Sequence, residues 1–185
     1  MNTNKNEKMK TFEMLFNKAL QETTIENCGR FGQAFEWAFR SVFLTRNNKD
    51  FIVRGQNQTD VVMTIDGKKC YCEIKTGNGR LVDNFQGEFK LKKAKFLIYS
   101  PNCYLDETII FSFEKLAEFN NHMINNYNKK VLSVKNGNLY FCSDFNTDYS
   151  DKDRFIKKYN NNSFFGCLID YLDEQNSLLY ATELL

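Results

Sequence analysis

Apolar residues recur along this chain with two different periods, and the change of period marks its elements. From Thr59 to Gly77 the period is two, with Val61, Met63 and Ile65 on one run and Cys70, Cys72 and Ile74 on the next. That spacing predicts two strands with one buried face, because successive side chains of a strand point to opposite faces. Asp66-Gly67 lies between the runs. Both residues tolerate the positive φ of a tight turn, so a hairpin is expected. A two-residue turn sets Ile65 opposite Lys68 and Asp60 opposite Glu73. A slip by one residue on each side sets Asp60 opposite Lys75 instead. In either register Asp60, Glu73 and Lys75 share a face.

From Gly29 to Thr45 the period is helical: Phe31, Phe35, Ala38, Phe39, Val42 and Phe43 form one stripe. Glu36 lies off its centre with Arg40 one turn on, a pair that composition alone reads as solvated and worth roughly 0.2–0.5 kcal/mol. Upstream, Phe12, Leu15, Phe16, Ala19 and Leu20 predict a short helix over Thr11–Gln21. The Asn- and Lys-rich first ten residues read as disordered, and Thr23–Asn27 as a break. Asp50–Arg54 reads as a short strand, followed by the polar turn Gly55–Gln58.

Beyond the hairpin, Leu81, Phe85, Phe89 and Ala94 could line one helix face over Arg80–Lys93, although Gly87 weakens that reading. Phe96–Tyr99 and Thr108–Phe111 read as strands. Ser112 is an expected N-cap, with Glu114 in the first turn, for a helix to about Asn125. His122, near its end, reads as an ordinary surface residue. Val131–Lys135 and Asn138–Cys142, joined by Asn136-Gly137, form a second expected hairpin with no acid-rich face and hence no assigned chemistry. Ser143–Asn162 reads as a polar surface loop and Phe164–Leu172 as a short terminal helix, with the last residues docking on the core.

At 185 residues the chain is long enough for one domain, 1–185, with a substantial core. No apolar run approaches a membrane span, and Met1–Lys10 is too polar for a signal peptide. A cytoplasmic protein with no membrane partner is therefore expected. The net charge of +2 removes any global basic signal, so a nucleic-acid surface would have to be local. The six cysteines lack paired C-x₂-C spacing and His122 is the single histidine, which excludes a zinc module and chemistry built on a His cluster. Cys70 and Cys72 are expected in the core. Abundant Asn, Lys, Ile and Phe with one proline fit an AT-rich genome, such as that of a low-GC bacterium, its phage or its plasmid. The expected compartment is then the cytoplasm of a bacterial or phage-infected cell.

The acids of the hairpin carry the chemistry. Two carboxylates about 4 Å apart repel by roughly 4 kcal/mol at an effective dielectric near 20. A divalent cation between them removes that penalty, and hard oxygen donors suit Mg²⁺. Asp60 followed by Glu73-Ile74-Lys75 resembles the signature of the PD-(D/E)XK nuclease superfamily, which includes many restriction endonucleases and archaeal-type Holliday-junction resolvases. The chain holds three acid-x-Lys matches: Asp66-Gly67-Lys68, Glu73-Ile74-Lys75 and Glu88-Phe89-Lys90. Only the middle one ends an alternating strand with an aspartate opposite it. Thr59 stands where the family often has proline. Gly32-Gln33-Ala34-Phe35-Glu36 looks like the Gly-x-x-Phe-Glu pattern on the first helix of resolvase-like members, where the glutamate reaches the metal site. The resemblance covers roughly residues 29–100.

The resemblance implies an α/β fold with a restriction-endonuclease-like core: a mixed central β-sheet flanked by helices, with C-terminal α/β additions over about 101–185. It implies a metal-dependent nuclease, endo- or exo-, that hydrolyses phosphodiester bonds in DNA, with RNA not excluded. Glu36, Asp60, Glu73 and Lys75 would be catalytic. Asp60, Glu73 and the backbone carbonyl of Ile74 would hold Mg²⁺, or Mn²⁺ in its place, with Glu36 helping directly or through water. Lys75 would stabilise charge on the attacked phosphate. Asn78 and Arg80 lie just beyond the site, and Lys90, Lys92 and Lys93 fall in the densest basic cluster; these could contact DNA phosphates. For the lysines a solvated face is an equally open reading. No helix-turn-helix or zinc finger is present, which favours a structure-selective or accessory nuclease, as in a phage or mobile element, over a sequence-reading restriction enzyme. Many members cut two strands as dimers, which admits a homodimer here. The alternative is a non-catalytic nucleic-acid-binding or inhibitory protein on a nuclease-like fold; against it, all three core motif residues are present.

Overall fold

The turn at Asp66-Gly67 forms as its residues dictate. Both sit at positive φ, 50° and 73°. The flanking strands β2 (Val61–Ile65) and β3 (Lys68–Thr76) pair antiparallel with Ile65 opposite Lys68 and Val61 opposite Cys72. The two-residue register is thus the one adopted. Continued by one step, it would set Asp60 opposite Glu73.

The computed structural model describes residues 2–22, 29–44, 52–53, 59–77, 80–82, 94–128, 130–141 and 164–185. These are organised as two compact units: those within Met1–Gly77, Lys92–Ile110 and Leu179–Leu185, and those within Asn78–Leu91 and Phe111–Leu178. The architecture is mixed α/β.

In the first unit, β1 (Ile52–Val53), β2 and β3 form an antiparallel meander. β5 (Phe96–Ser100) then joins β3 in parallel, with Ile74 beside Ile98 and Lys75 beside Tyr99, and β6 (Ile109–Ser112), of which Ile109 and Ile110 belong to this unit, follows β5 in the sheet. The sheet is therefore mixed. One face of β3 is buried through Cys70, Cys72 and Ile74, as the alternation requires.

Helix α2 (Gly29–Leu44) supplies much of the matching surface: Phe35, Ala38, Phe39, Val42 and Phe43 share one core cluster with those strand residues. Phe31, expected in the same stripe, is 52% exposed, because it lies one turn before the buried run begins. Gly32 marks a close approach of helix to sheet: a Cβ there would stand 3.0 Å from Thr76 Oγ1.

Helix α1 (Asn2–Glu22) begins well before the expected Thr11, so the reading of the first ten residues as disordered is corrected. Lys5, Glu7, Lys8, Met9 and Lys10 are straight-chain residues that lose little freedom in a helix, and they extend it without adding apolar periodicity. Phe12 anchors α1 by packing edge-on against Phe35, ring centres 5.4 Å apart. Arg30 donates to the Leu20 carbonyl, satisfying an acceptor left open at the end of α1. The chain's last residues dock on the same unit through Ala181 N–H to Thr108 O at 2.8 Å and Ile110 N–H to Leu179 O at 2.9 Å.

The second unit holds a three-stranded sheet in the order β4-β8-β7, made of β4 (Arg80–Val82), β7 (Leu132–Lys135) and β8 (Asn138–Phe141). Arg80–Val82 is thus strand, not the start of a helix; the rest of that expected helix lies outside the described residues. Asn136-Gly137 makes the expected turn at φ 50° and 73°. Helix α3 (Phe113–Tyr127) is capped by Ser112, whose Oγ accepts the Lys115 N–H at 3.1 Å, and closes at Asn128 in the left-handed region. Helix α4 spans Phe164–Glu174. The expected break at Thr23–Asn27 and the loop at Ser143–Asn162 lie outside the described residues. Among the described residues no helix is long and apolar enough to cross a membrane.

Candidate functional site

The candidate site is where β2 ends and β3 continues. A ladder extended past Val61 would set Thr59 opposite Ile74. Instead the chain bends at Asp60, and the Asp60 carboxylate takes the acceptor's place: Ile74 N–H donates to Asp60 Oδ2 at 2.8 Å. An extended residue turns its N–H and C=O to the same edge of the strand. The Ile74 carbonyl therefore also faces the edge that Asp60 occupies.

Glu73 and Lys75 flank Ile74 on the opposite side of the pleat from the buried face, with Lys75 Nζ 3.9 Å from Glu73 Oε2. The Glu73 carboxyl lies within hydrogen-bonding reach of the Asp60 carboxylate, a contact two ionised groups cannot make without a proton or a cation. Burial, then that bond and the charge of Asp60, push the Glu73 carboxyl up to about 8, against the pull of Lys75. The like-charge conflict anticipated from the register is present.

Glu36 lies on α2 and contributes to this field. Its carboxyl is raised by burial first and by Asp60 second, with Arg40 and Lys75 acting in the opposite direction. Asp60, Glu73, Lys75 and Glu36 thus form one electrostatic cluster within the first unit. The expected i,i+4 pair also exists: Arg40 Nη2 contacts Glu36 Oε1. The same nitrogen donates to the main-chain carbonyl of Asp60 at 2.9 Å. Reading Glu36–Arg40 as a simple surface pair missed this second bond, which no local spacing announces.

Thr59 is a further feature the sequence left unread. It is 3% exposed, and its Oγ1 is a buried atom with no hydrogen-bond partner among the described residues.

Asn78, Lys90, Lys92 and Lys93 lie outside the described residues, and Arg80 falls on β4 in the second unit. Among the described residues no group of three or more His, Cys, Asp or Glu side chains is arranged to hold a metal ion. A cation at this site would rest on the Asp60–Glu73 pair and on a main-chain oxygen. That donor set is all hard oxygen, and burial and the two neighbouring acids raise the Glu73 carboxyl, as they do where positive charge is needed between them. It fits Mg²⁺ or Mn²⁺. A surface hollow of about 340 Å³, lined by Phe12, Phe16, Cys103 and Tyr104 among others, includes none of these residues and has no part in this chemistry. Cys70 and Cys72 are buried and free, and the Cys72 thiol is raised by burial above all, as expected of inert core residues.

No protein-family model, no curated protein and no solved structure matches the chain.

Proposed function

We propose that this chain is a divalent-metal-dependent nuclease that hydrolyses phosphodiester bonds in DNA. The observation that carries the reading is the Asp60–Glu73 carboxylate pair, held at a strand end with Lys75 Nζ 3.9 Å from Glu73. Such a pair is costly unless positive charge is placed between its members. The order of elements also supports a restriction-endonuclease-like core: helix α2, the β1-β2-β3 meander with an acid just before its second member and another on its third, and β5 in parallel beside β3.

Asp60, Glu73 and the Ile74 carbonyl would hold Mg²⁺ or Mn²⁺. When bound, the ion supplies charge neutralisation at the scissile phosphate and acidifies a water. Asp60 is kept in place by the Ile74 N–H. Lys75 presents its ammonium beside Glu73, where it stabilises charge developing on the phosphate oxygens. Glu36 adds negative charge to the cluster and would help hold the ion directly or through water. Asn78, Arg80 and the lysines at 90, 92 and 93 would hold the backbone of the substrate, and a structure-selective role in a phage or mobile element fits the lack of a sequence-reading module.

The test is cleavage of supercoiled plasmid, linear duplex, single-stranded DNA, a four-way junction and RNA with Mg²⁺, Mn²⁺ or EDTA. Cutting that requires the metal supports the reading, and the preferred panel member names the substrate. Folded protein that binds DNA but never cuts would replace it with the non-catalytic reading. Folded protein that neither cuts nor binds would leave the acids a coincidence of the hairpin.

A further inference from the structure

The site draws its acids from two elements, α2 and the β2–β3 hairpin, and one guanidinium is common to both. Arg40 Nη2 contacts the Glu36 carboxylate on its own helix and the main-chain carbonyl of Asp60, twenty residues away in sequence. A solvated helix pair accounts for the first contact but not for the second. Nor does it account for the rest of the side chain, because Arg40 Nε is buried without a partner among the described residues. A half-buried guanidinium that bonds two separate elements through one nitrogen fixes their relative placement through its planar, rigid fork.

We propose that Arg40 is the positioning residue of this site, fixing the Glu36 carboxylate and the Asp60 main chain relative to each other so that helix and hairpin present their acids to one divalent cation. The inference rests on the nuclease reading above and adds to it a residue outside the acid–lysine signature. Two effects of Arg40 on a cation have opposite sign. Its charge alone repels the ion, so removing it at fixed geometry would tighten binding. Its two bonds set where the acids stand, and losing them loosens the site, as removal of groups that orient metal ligands does. Lysine separates the two effects. It keeps the charge, but its single terminal nitrogen is one atom closer to the backbone and lacks the planar fork.

The experiment is a calorimetric titration of Mn²⁺ into the full chain, as wild type, Arg40→Lys, Arg40→Gln and Glu36→Gln, with circular dichroism establishing that each is folded. Arg40→Lys and Arg40→Gln are both expected to bind Mn²⁺ about 10-fold more weakly than wild type. Lysine at wild-type affinity, or glutamine binding more tightly, would overturn the proposal by leaving only a charge effect. Should Arg40→Gln fail to fold, Arg40→Lys carries the test alone. Folded wild type that takes up no Mn²⁺ would overturn the nuclease reading itself, an outcome distinct from wild-type binding with unchanged Arg40 variants.

Discussion

The Ile74 N–H donates to the Asp60 carboxylate at 2.8 Å, where a longer β2 would have offered a main-chain carbonyl. One bond therefore does two things: it terminates the strand and aims the acid. Asp60→Asn keeps an acceptor for this N–H and removes the repulsion with Glu73, so it is expected to fold at least as stably as wild type. Asp60→Ala leaves the donor unmet and should be less stable than Asp60→Asn by about 1–2 kcal/mol in urea unfolding. Equal stability of the two variants would show that the bond contributes nothing.

Glu73 gives the protein a pH dependence of predictable sign. Its carboxyl is raised from 4.5 to about 8 in the folded state, mainly by burial and then by Asp60. Between those values the native chain binds the extra proton, so this contribution to stability is full below 4.5 and is lost as pH rises through about 8. Glu73→Gln should flatten that part of a thermal-melt profile. Mg²⁺ held as proposed would favour the ionised pair, so it should raise the melting temperature more at the alkaline end of the window than at the acid end. A larger Mg²⁺ effect at the acid end would contradict the assignment.

Thr59 carries a hydroxyl that is buried and unpartnered. Thr59→Val keeps the shape and removes the unmet group, for an expected gain of about 1 kcal/mol, or roughly 2–4 °C in melting temperature for a chain of this size. A loss of stability on thermal denaturation would mean that the hydroxyl has a partner after all.

The approach of α2 to the sheet sets how near Glu36 comes to the hairpin acids, and Gly32 controls it. Gly32→Ala gains about 1 kcal/mol of helix propensity but sets a Cβ 3.0 Å from Thr76 Oγ1. The two changes should couple. In a Thr76→Ala background the alanine should express its full gain, while in wild type it should gain little or lose. Identical effects in both backgrounds would show that the contact exerts no constraint.

What could be read from the sequence was what local chemistry decides. Asp66-Gly67 and Asn136-Gly137 announced their hairpins through the backbone conformations these residues permit, and the alternation up to Ile74 set Asp60, Glu73 and Lys75 on one face while leaving two registers open. Ser112 announced the start of α3 because its hydroxyl can accept a backbone N–H of the first turn. What could not be read depended on partners far away in sequence. The parallel seat of β5 beside β3 leaves no mark in either strand. Arg40 looked like half of a surface pair until Asp60 was folded against it. The first turns of α1 were missed because Lys5 to Lys10 favour a helix without showing an apolar face, and Phe31 was overcounted because a regular stripe does not say where burial stops.

The central claim, that these residues form a hydrolytic site, is tested most directly at Lys75. It stands 3.9 Å from Glu73 and supplies no metal-binding atom in the proposed arrangement. Single-turnover cleavage by wild type and Lys75→Ala should be compared at saturating Mg²⁺, with DNA binding measured in parallel in EDTA. The account predicts a loss of about 100-fold or more in rate with little change in DNA affinity, the pattern of a group acting on developing charge. Cleavage by Lys75→Ala at the wild-type rate would contradict it.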